Sequence, residues 1–149
     1  MRTVAIIQAR MTSTRLPGKV MADLSGQPIL ARVVERLRSA ASIDEITVAT
    51  TTNGSDDVIV GLADQLDTRW YRGDEDDVLA RYAGAAIDSD AEVVVRITAD
   101  CPLLDPHIVD LVTTTLTSRP TDLDLVCNTT TASYPVGLAV QPEMPGQGF

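Results

Sequence analysis

Three cationic side chains lie close together near the amino terminus: Arg10, Arg15 and Lys19. Three small hydroxyl residues, 12–14, lie between the two arginines, and the stretch directly follows the apolar run 4–7. An arginine guanidinium pairs with two phosphate oxygens at once, and a lysine ammonium adds a mobile point charge. Backbone amides of residues 12–14 would add further donors, as anion-binding nests do. We interpret residues 8–19 as a phosphate-binding loop; the alternative is a basic loop exposed to solvent.

This loop lacks the glycine-rich patterns of two common phosphate-binding classes. Ser13 stands where a Walker loop requires its first glycine, and Val20 follows the lysine where that loop requires Ser or Thr. The dinucleotide fingerprint G-x-G-x-x-G does not occur anywhere in the chain. The sequence therefore excludes both a P-loop and a dinucleotide-binding turn.

One carboxylate, Asp100, follows the clearest predicted strand, 93–97, and precedes a turn at Pro102. A carboxylate at the end of a strand can hold Mg²⁺ against substrate phosphates, because Mg²⁺ usually needs only one or two protein carboxylates. We therefore predict that Asp100 is a metal ligand; the alternative is a residue that only forms the turn. Asp105, in front of Pro106, is interpreted as a helix cap rather than a ligand.

Three other candidates are interpreted as structural. The acidic run Asp74–Asp77 suits the start of a helix better than a metal site. His107 falls in the first turn of a predicted helix, without a base or nucleophile partner. Cys101 adjoins Asp100, but no cysteine or histidine spacing indicates a zinc site.

The charge distribution favours a small polyanion as ligand. The net charge is −9, which argues against a general nucleic-acid binder. Residues 1–40 nevertheless hold seven cationic and two acidic residues, a balance of +5 against −14 for the rest. No signal peptide or stretch of the roughly 20 apolar residues that span a bilayer is evident. Two cysteines suit a reducing compartment, so we expect a cytoplasmic protein without nucleic-acid or membrane partners.

Strands and helices alternate along the chain. Short apolar runs predict strands at 4–7, 46–50, 68–71, 93–97 and 123–126. Apolar residues at helical spacing predict helices over 29–41, 58–66, 78–87 and 106–116. This order predicts an α/β fold with a mostly parallel sheet between two helical layers, and ligands at the carboxyl ends of the strands. We assign residues 1–133 to this domain and 134–149 to an irregular tail that adds no packed element.

Five segments together resemble the cytidylyltransferase family that activates acidic sugars. The subgroup most resembled is the spore coat polysaccharide biosynthesis type, related to acylneuraminate cytidylyltransferases. The resemblance runs from about Val4 to Leu138. The matching segments are AIIQARM at 5–11, STRLPGK at 13–19, IDEITVATT at 43–51, RGDEDDVLARY at 72–82 and VRITADCP at 95–102.

The resemblance implies a Rossmann-like nucleotide-diphospho-sugar transferase fold and a reaction. The anomeric hydroxyl of a sugar acid would attack the α-phosphorus of CTP and release pyrophosphate, in surface polysaccharide or glycan biosynthesis. Arg10, Lys19 and Asp100 would be catalytic, with Asp100 binding Mg²⁺. The implied nucleotide-binding residues are Gln8 and Ala9 beside the cytosine, Arg10, Arg15 and Lys19 at the triphosphate, and Thr51, Arg72 and Arg81 nearby.

The chain departs from the family near its end. Where the family has Tyr-Pro-Asp-Gly-Leu-Asp, residues 134–139 read Tyr-Pro-Val-Gly-Leu-Ala, so Val136 and Ala139 replace two acidic residues. We expect a shortened member that lacks much of the sugar-acid site, and a homodimer only where the missing part is present. Two alternatives stay open: another sugar nucleotidyltransferase or glycosyltransferase on the same scaffold, and a nucleotide-binding remnant without catalysis.

Overall fold

The computed structural model describes residues 1–127 and the backbone of residues 141–143. Its strands are β1 (Thr3–Gln8), β2 (Asp23–Leu24), β3 (Gln27–Pro28), β4 (Glu45–Thr51), β5 (Arg69–Gly73), β6 (Val93–Thr98) and β7 (Gln141–Glu143). Five of them form the main sheet, in the order β5-β4-β1-β6-β7, and β2 pairs with β3 in a small hairpin. The pairs within β5-β4-β1-β6 are parallel, and β7 is antiparallel to β6.

The central strand β1 is apolar from residue 4 to residue 7 because helices cover both faces of the sheet. Ala5 and Ile7 pack on one face with residues of the first, second and fourth helices, and Val4 and Ile6 pack on the other with the third. All four side chains are fully buried. The helices are α1 (Ile29–Leu37), α2 (Asp57–Gln65), α3 (Val78–Asp88) and α4 (Pro106–Thr117). The predicted three-layer α/β fold is confirmed.

Two of these helices begin at aspartate caps. The Asp77 carboxylate accepts a hydrogen bond from the amide of Ala80, and the Asp105 carboxylate accepts one from the amide of His107, both at 2.8 Å. These bonds satisfy amide groups that have no partner within the first helical turn. The interpretation of Asp105 as a helix cap is therefore confirmed.

The sequence prediction is wrong at one edge of the sheet. Residues 123–126 do not form the expected strand, and within them only Leu125 makes a bridge. The backbone of Gln141–Glu143 instead pairs with Val94–Arg96 of β6, so the place beside β6 is taken by a segment expected to add no packed element. The rest of the proposed tail, 134–140 and 144–149, lies outside the described residues, and the domain boundary stays a prediction.

The parallel strands bring their carboxyl ends to one edge. Gln8 at the end of β1 is in register with Ala49 and Thr98, and Thr51 at the end of β4 is in register with Gly73. The loops that carry the candidate chemistry therefore follow neighbouring strands. No helix within residues 1–127 is long and apolar enough to cross a membrane.

Candidate functional site

The loop after β1 is closed on the peptide of Met11. The carbonyl of Met11 accepts hydrogen bonds from the amides of Ser13 at 3.0 Å and Gly18 at 2.9 Å. Gly18 has a φ of 71°, a left-handed conformation that glycine adopts without steric cost. A Cβ at this position would lie 3.3 Å from Cε of Met11. The loop is therefore a closed turn with Arg15 inside it and Lys19 directly after it.

A buried carboxylate holds the base of this loop. The amide of Met11 donates to Oδ1 of Asp56 at 2.8 Å, while Oδ2 accepts from the amide of Thr51 and from the hydroxyls of Thr50 and Thr51. Burial opposes ionisation of Asp56, but these hydrogen bonds outweigh it and lower its pKa below 3.8. An ionised carboxylate thus joins the β1 loop to the end of β4.

A second carboxylate, Glu75, joins three loops. The hydroxyl of Thr12 and the side-chain amide of Asn53 both donate to it. These two bonds, with a smaller contribution from the charge of Arg10, lower the pKa of Glu75. Glu75 therefore differs from Asp74, whose carboxylate accepts amide hydrogen bonds at the start of α3 as expected for an acidic helix start.

Lys19 and Asp100 meet as an ion pair. Their side chains are 26% and 40% exposed, so both charges are within reach of a ligand in solution. Burial opposes ionisation of Asp100, but hydrogen bonds from Lys19 and Thr98 lower its pKa nonetheless. Burial raises the pKa of the neighbouring Cys101 thiol, which disfavours the thiolate that a nucleophile would need.

Arg10 and Arg15 keep their guanidinium groups available. Arg10 is half-buried and Arg15 is exposed. Within residues 1–127, neither side chain makes a hydrogen bond or an ion pair. With Lys19 they place three cations around one loop at the carboxyl edge of the sheet, where such folds bind ligands.

The other two arginines of the predicted site contact the protein itself. Arg72 donates through Nε to the carbonyl of Thr51 at 2.7 Å, through Nη2 to that of Asn53 at 2.6 Å, and through Nη1 to Asp57 at 2.7 Å. Its three nitrogens therefore bridge the end of β4, the loop that follows and the start of α2.

Arg81 is 1% exposed and donates through Nη1 to the carbonyls of residues 74 and 75. Its Nε and Nη2 are buried and have no hydrogen-bond partner within residues 1–127. Burial and then the charge of Arg10 lower its pKa. Burial of the charged Arg81 side chain with two unsatisfied donors therefore costs folding free energy.

Two backbone groups of the predicted cytosine site already form hydrogen bonds within the protein. The amide of Ala9 donates to the carbonyl of Ala49 at 3.1 Å, and the carbonyl of Gln8 accepts from the amide of Ala99 at 3.0 Å. The half-buried Gln8 side chain remains at the edge of the sheet. Thr51 is fully buried against Asp56, so it supports the site rather than facing solvent.

The structure thus brings Gln8, Arg10, Arg15, Lys19 and Asp100 to one edge, with Thr51, Arg72 and Arg81 behind it. Sequence reasoning missed the support from Asp56, Glu75 and Asn53. The available signal was a carboxylate six and five residues after the two threonines that end β4, Thr50 and Thr51. Sequence spacing alone does not say which loop such a carboxylate contacts.

The described residues could hold a magnesium ion only in an arrangement in which the substrate supplies most of the ligands. Within the described residues, no group of three or more His, Cys, Asp or Glu side chains could hold a metal ion. Asp100 nevertheless offers a partly exposed, ionised carboxylate beside the cationic loop. Mg²⁺ is commonly bound by one or two carboxylates together with substrate phosphates and water, and Asp100 fits that arrangement.

Comparisons with known proteins agree with this geometry. Residues 4–145 match the model of the cytidylyltransferase family. The chain is 36% identical over 110 residues to the spore coat polysaccharide biosynthesis protein SpsF of Bacillus subtilis, an alignment that covers 71% of this chain and 46% of that protein. It is 33% identical over 120 residues to 3-deoxy-manno-octulosonate cytidylyltransferase of Syntrophotalea carbinolica, covering 80% of this chain and 47% of that protein.

A solved structure shows the same fold. The cytidylyltransferase from Leptospira borgpetersenii matches with a TM-score of 0.93 and 30% identity, covering 97% of this chain and 60% of that chain. The predicted Rossmann-like transferase fold is therefore confirmed. The chain spans about half the length of the curated relatives it matches.

Proposed function

The chain belongs to the cytidylyltransferase family, and we propose that it binds CTP and transfers CMP to a sugar acid with release of pyrophosphate. The observation that carries this proposal is the loop after β1. Arg10 and Arg15 project free guanidinium groups there, and Lys19 and Asp100 lie beside it as a partly exposed pair. An acidic protein with this one cationic loop suits a triphosphate.

The proposed roles follow from charge and position. Arg10 and Arg15 pair with phosphate oxygens and orient the α-phosphorus toward the incoming hydroxyl. Lys19 neutralises charge that accumulates on the departing pyrophosphate, as preorganised cations do in phosphoryl transfer. The bond from the sugar oxygen to the α-phosphorus forms as the bond to pyrophosphate breaks. Mg²⁺, which we propose is held at Asp100, would supply further neutralisation of the phosphate charge.

The remaining site residues are proposed to border the cytosine or to hold the surrounding loops in place. Gln8 and Ala9 border the cytosine position, where the Gln8 side chain is the group still available for a base. Thr51, Arg72 and Arg81 hold the loops after β4 and β5 against the nucleotide-binding loop. Four expectations stay predictions: a sugar-acid partner, a cytoplasmic location, a homodimer where the missing part is present, and the absence of nucleic-acid and membrane partners.

A second candidate is CTP binding without turnover. Val136 and Ala139 replace acidic residues of the family pattern, and the chain spans about half the length of the curated relatives. The family resemblance implies that at least one of these acidic residues helps to bind metal or substrate, whereas it assigns the cationic loop to the triphosphate. Nucleotide affinity can therefore survive where turnover does not.

The test is thermal unfolding of the chain with Mg²⁺ and each of CTP, UTP, GTP and ATP. A ligand that binds only the folded state raises stability by about 2.7 kcal/mol at a hundred times its Kd. We expect a shift that is largest with CTP, and pyrophosphate release from CTP when an acidic sugar is added. A CTP shift without release would favour the second candidate. A preference for another nucleotide would favour a different nucleotidyltransferase or glycosyltransferase, and no shift at all would refute nucleotide binding.

A further inference from the structure

Asp56 joins two parts of the site through its separate carboxylate oxygens. Oδ1 faces the β1 loop and accepts the amide of Met11 at 2.8 Å. Oδ2 faces β4 and accepts the amide of Thr51 at 3.2 Å and the hydroxyl of Thr50 at 3.1 Å. The residue is fully buried, so water does not compete for these bonds.

The Met11 peptide is the point at which the loop closes. Its carbonyl accepts the amides of Ser13 and Gly18, so residues 11 to 18 turn back onto it. Arg10 immediately precedes this peptide, Arg15 lies within the closed turn, and Lys19 immediately follows it. The N–H and the carbonyl of Met11 lie on either side of one α-carbon, so a contact that fixes the N–H also restrains the backbone from which all three cations extend.

We propose that Asp56 is a positioning residue whose carboxylate sets the Met11 peptide so that Arg10, Arg15 and Lys19 converge on one bound anion. The identity of that anion as the CTP triphosphate rests on the proposed function. The effect of Asp56 on the loop itself can be measured without any nucleotide.

Asparagine cannot replace this carboxylate. Two backbone amides, those of Met11 and Thr51, donate to different oxygens of Asp56, and a side-chain amide has only one carbonyl oxygen. In Asp56→Asn one backbone N–H must face an NH₂ group. The Thr51 amide belongs to the buried strand β4, which cannot shift easily. The hydrogen bond from the Met11 amide is therefore the one that is lost.

The first experiment measures amide hydrogen exchange and CTP affinity in Asp56→Asn. We expect faster exchange at Met11 and Gly18, with β4 amides still protected. We also expect CTP affinity in the presence of Mg²⁺ to fall on the order of tenfold, as for loss of one hydrogen bond to a charged group.

Asp110 provides a matched control at the other end of the sheet. It accepts the amides of Ala41 at 3.1 Å and Ser42 at 2.8 Å on different oxygens, just before β4 begins. Asp110→Asn therefore creates the same donor conflict far from the cationic loop. We expect Asp110→Asn to lower the melting temperature while leaving CTP affinity and Met11 exchange unchanged. If Asp56 had only a structural role, Asp56→Asn would give that same result.

A milder variant covers the case in which Asp56→Asn does not fold. Thr50→Val keeps the shape of the side chain and removes one donor to Oδ2, so it loosens the carboxylate without a donor conflict. We expect smaller changes in the same direction. The inference would be overturned if the Met11 amide of a folded Asp56→Asn or Thr50→Val protein exchanged at the wild-type rate. It would also be overturned if Asp110→Asn lowered CTP affinity as much as Asp56→Asn. Failure of the wild-type chain to bind CTP would sink the proposed function, while exchange at Met11 would still decide the role of Asp56.

Discussion

Replacement of Asp100 by asparagine is expected to change CTP affinity in opposite directions with and without Mg²⁺. In the structure Asp100 pairs with Lys19, one of the three cations proposed to bind the triphosphate. Without metal, the carboxylate competes with the nucleotide for Lys19 and repels its phosphates. With metal, the same carboxylate is the proposed ligand that joins Mg²⁺ to those phosphates.

The size of the metal-free effect follows from the exposure of the pair. Both side chains are partly exposed, at 26% and 40%, and exposed pairs contribute about 0–1 kcal/mol. Removing the carboxylate therefore strengthens CTP binding by up to about fivefold in the presence of a chelator. With saturating Mg²⁺ the variant loses a charged ligand, and we expect affinity to fall by about tenfold or more.

The assay is isothermal titration calorimetry with CTP in EDTA and in Mg²⁺, for the wild type and for Asp100→Asn. Asp76→Asn is the matched control, because it removes an exposed negative charge from the acidic run before α3 without touching Lys19. A change in the same direction under both conditions would refute the reasoning. Equal behaviour of the two variants would show that only the net charge matters.

Three further outcomes can be checked separately. Arg15→Ala should weaken CTP binding by about 1.5–3 kcal/mol in calorimetry, whereas Arg119→Ala, beyond α4, should leave it unchanged; equal affinities would remove Arg15 from the site. Asp105→Ala should lower the free energy of unfolding by about 1 kcal/mol in urea titrations, because the His107 amide loses its cap, and unchanged stability would contradict that contact. Hydrogen bonds hold the folded-state pKa of Asp56 below its ordinary value, so its contribution to stability is present above the ordinary pKa and is lost as the pH falls through the folded one. The stability of Asp56→Asn should therefore fall less steeply on acidification in urea titrations at several pH values, and parallel profiles would argue against an ionised Asp56.

The sequence alone predicted the elements that are buried on both faces. Strand β1 contains a continuous apolar run, β4 and β6 consist mostly of β-branched residues, and α4 begins at an Asp-Pro pair whose cap is confirmed. Such elements are specified locally, by the apolar pattern and by the residue at the first turn. The edge of the sheet was predicted wrongly, since 123–126 had the better strand composition but 141–143 pairs with β6. An edge strand depends on which neighbouring segment reaches the open backbone, which composition does not specify.

The sequence also determined which residue types lie in the β1 loop, and therefore that a phosphate is the ligand they suit. Only the tertiary structure decided which charges are available. Arg10 and Arg15 have no hydrogen-bond or ion-pair partner in the part of the chain that the structure describes, whereas Arg72 binds the carbonyl of Thr51 and the Thr51 hydroxyl binds Asp56. The physical reason is that hydrogen-bond partners come from segments far apart in the chain, as when Asp56 meets the amide of Met11 45 positions earlier. Sequence order carries the chemistry of each side chain, while the packing of strands and helices selects its partner.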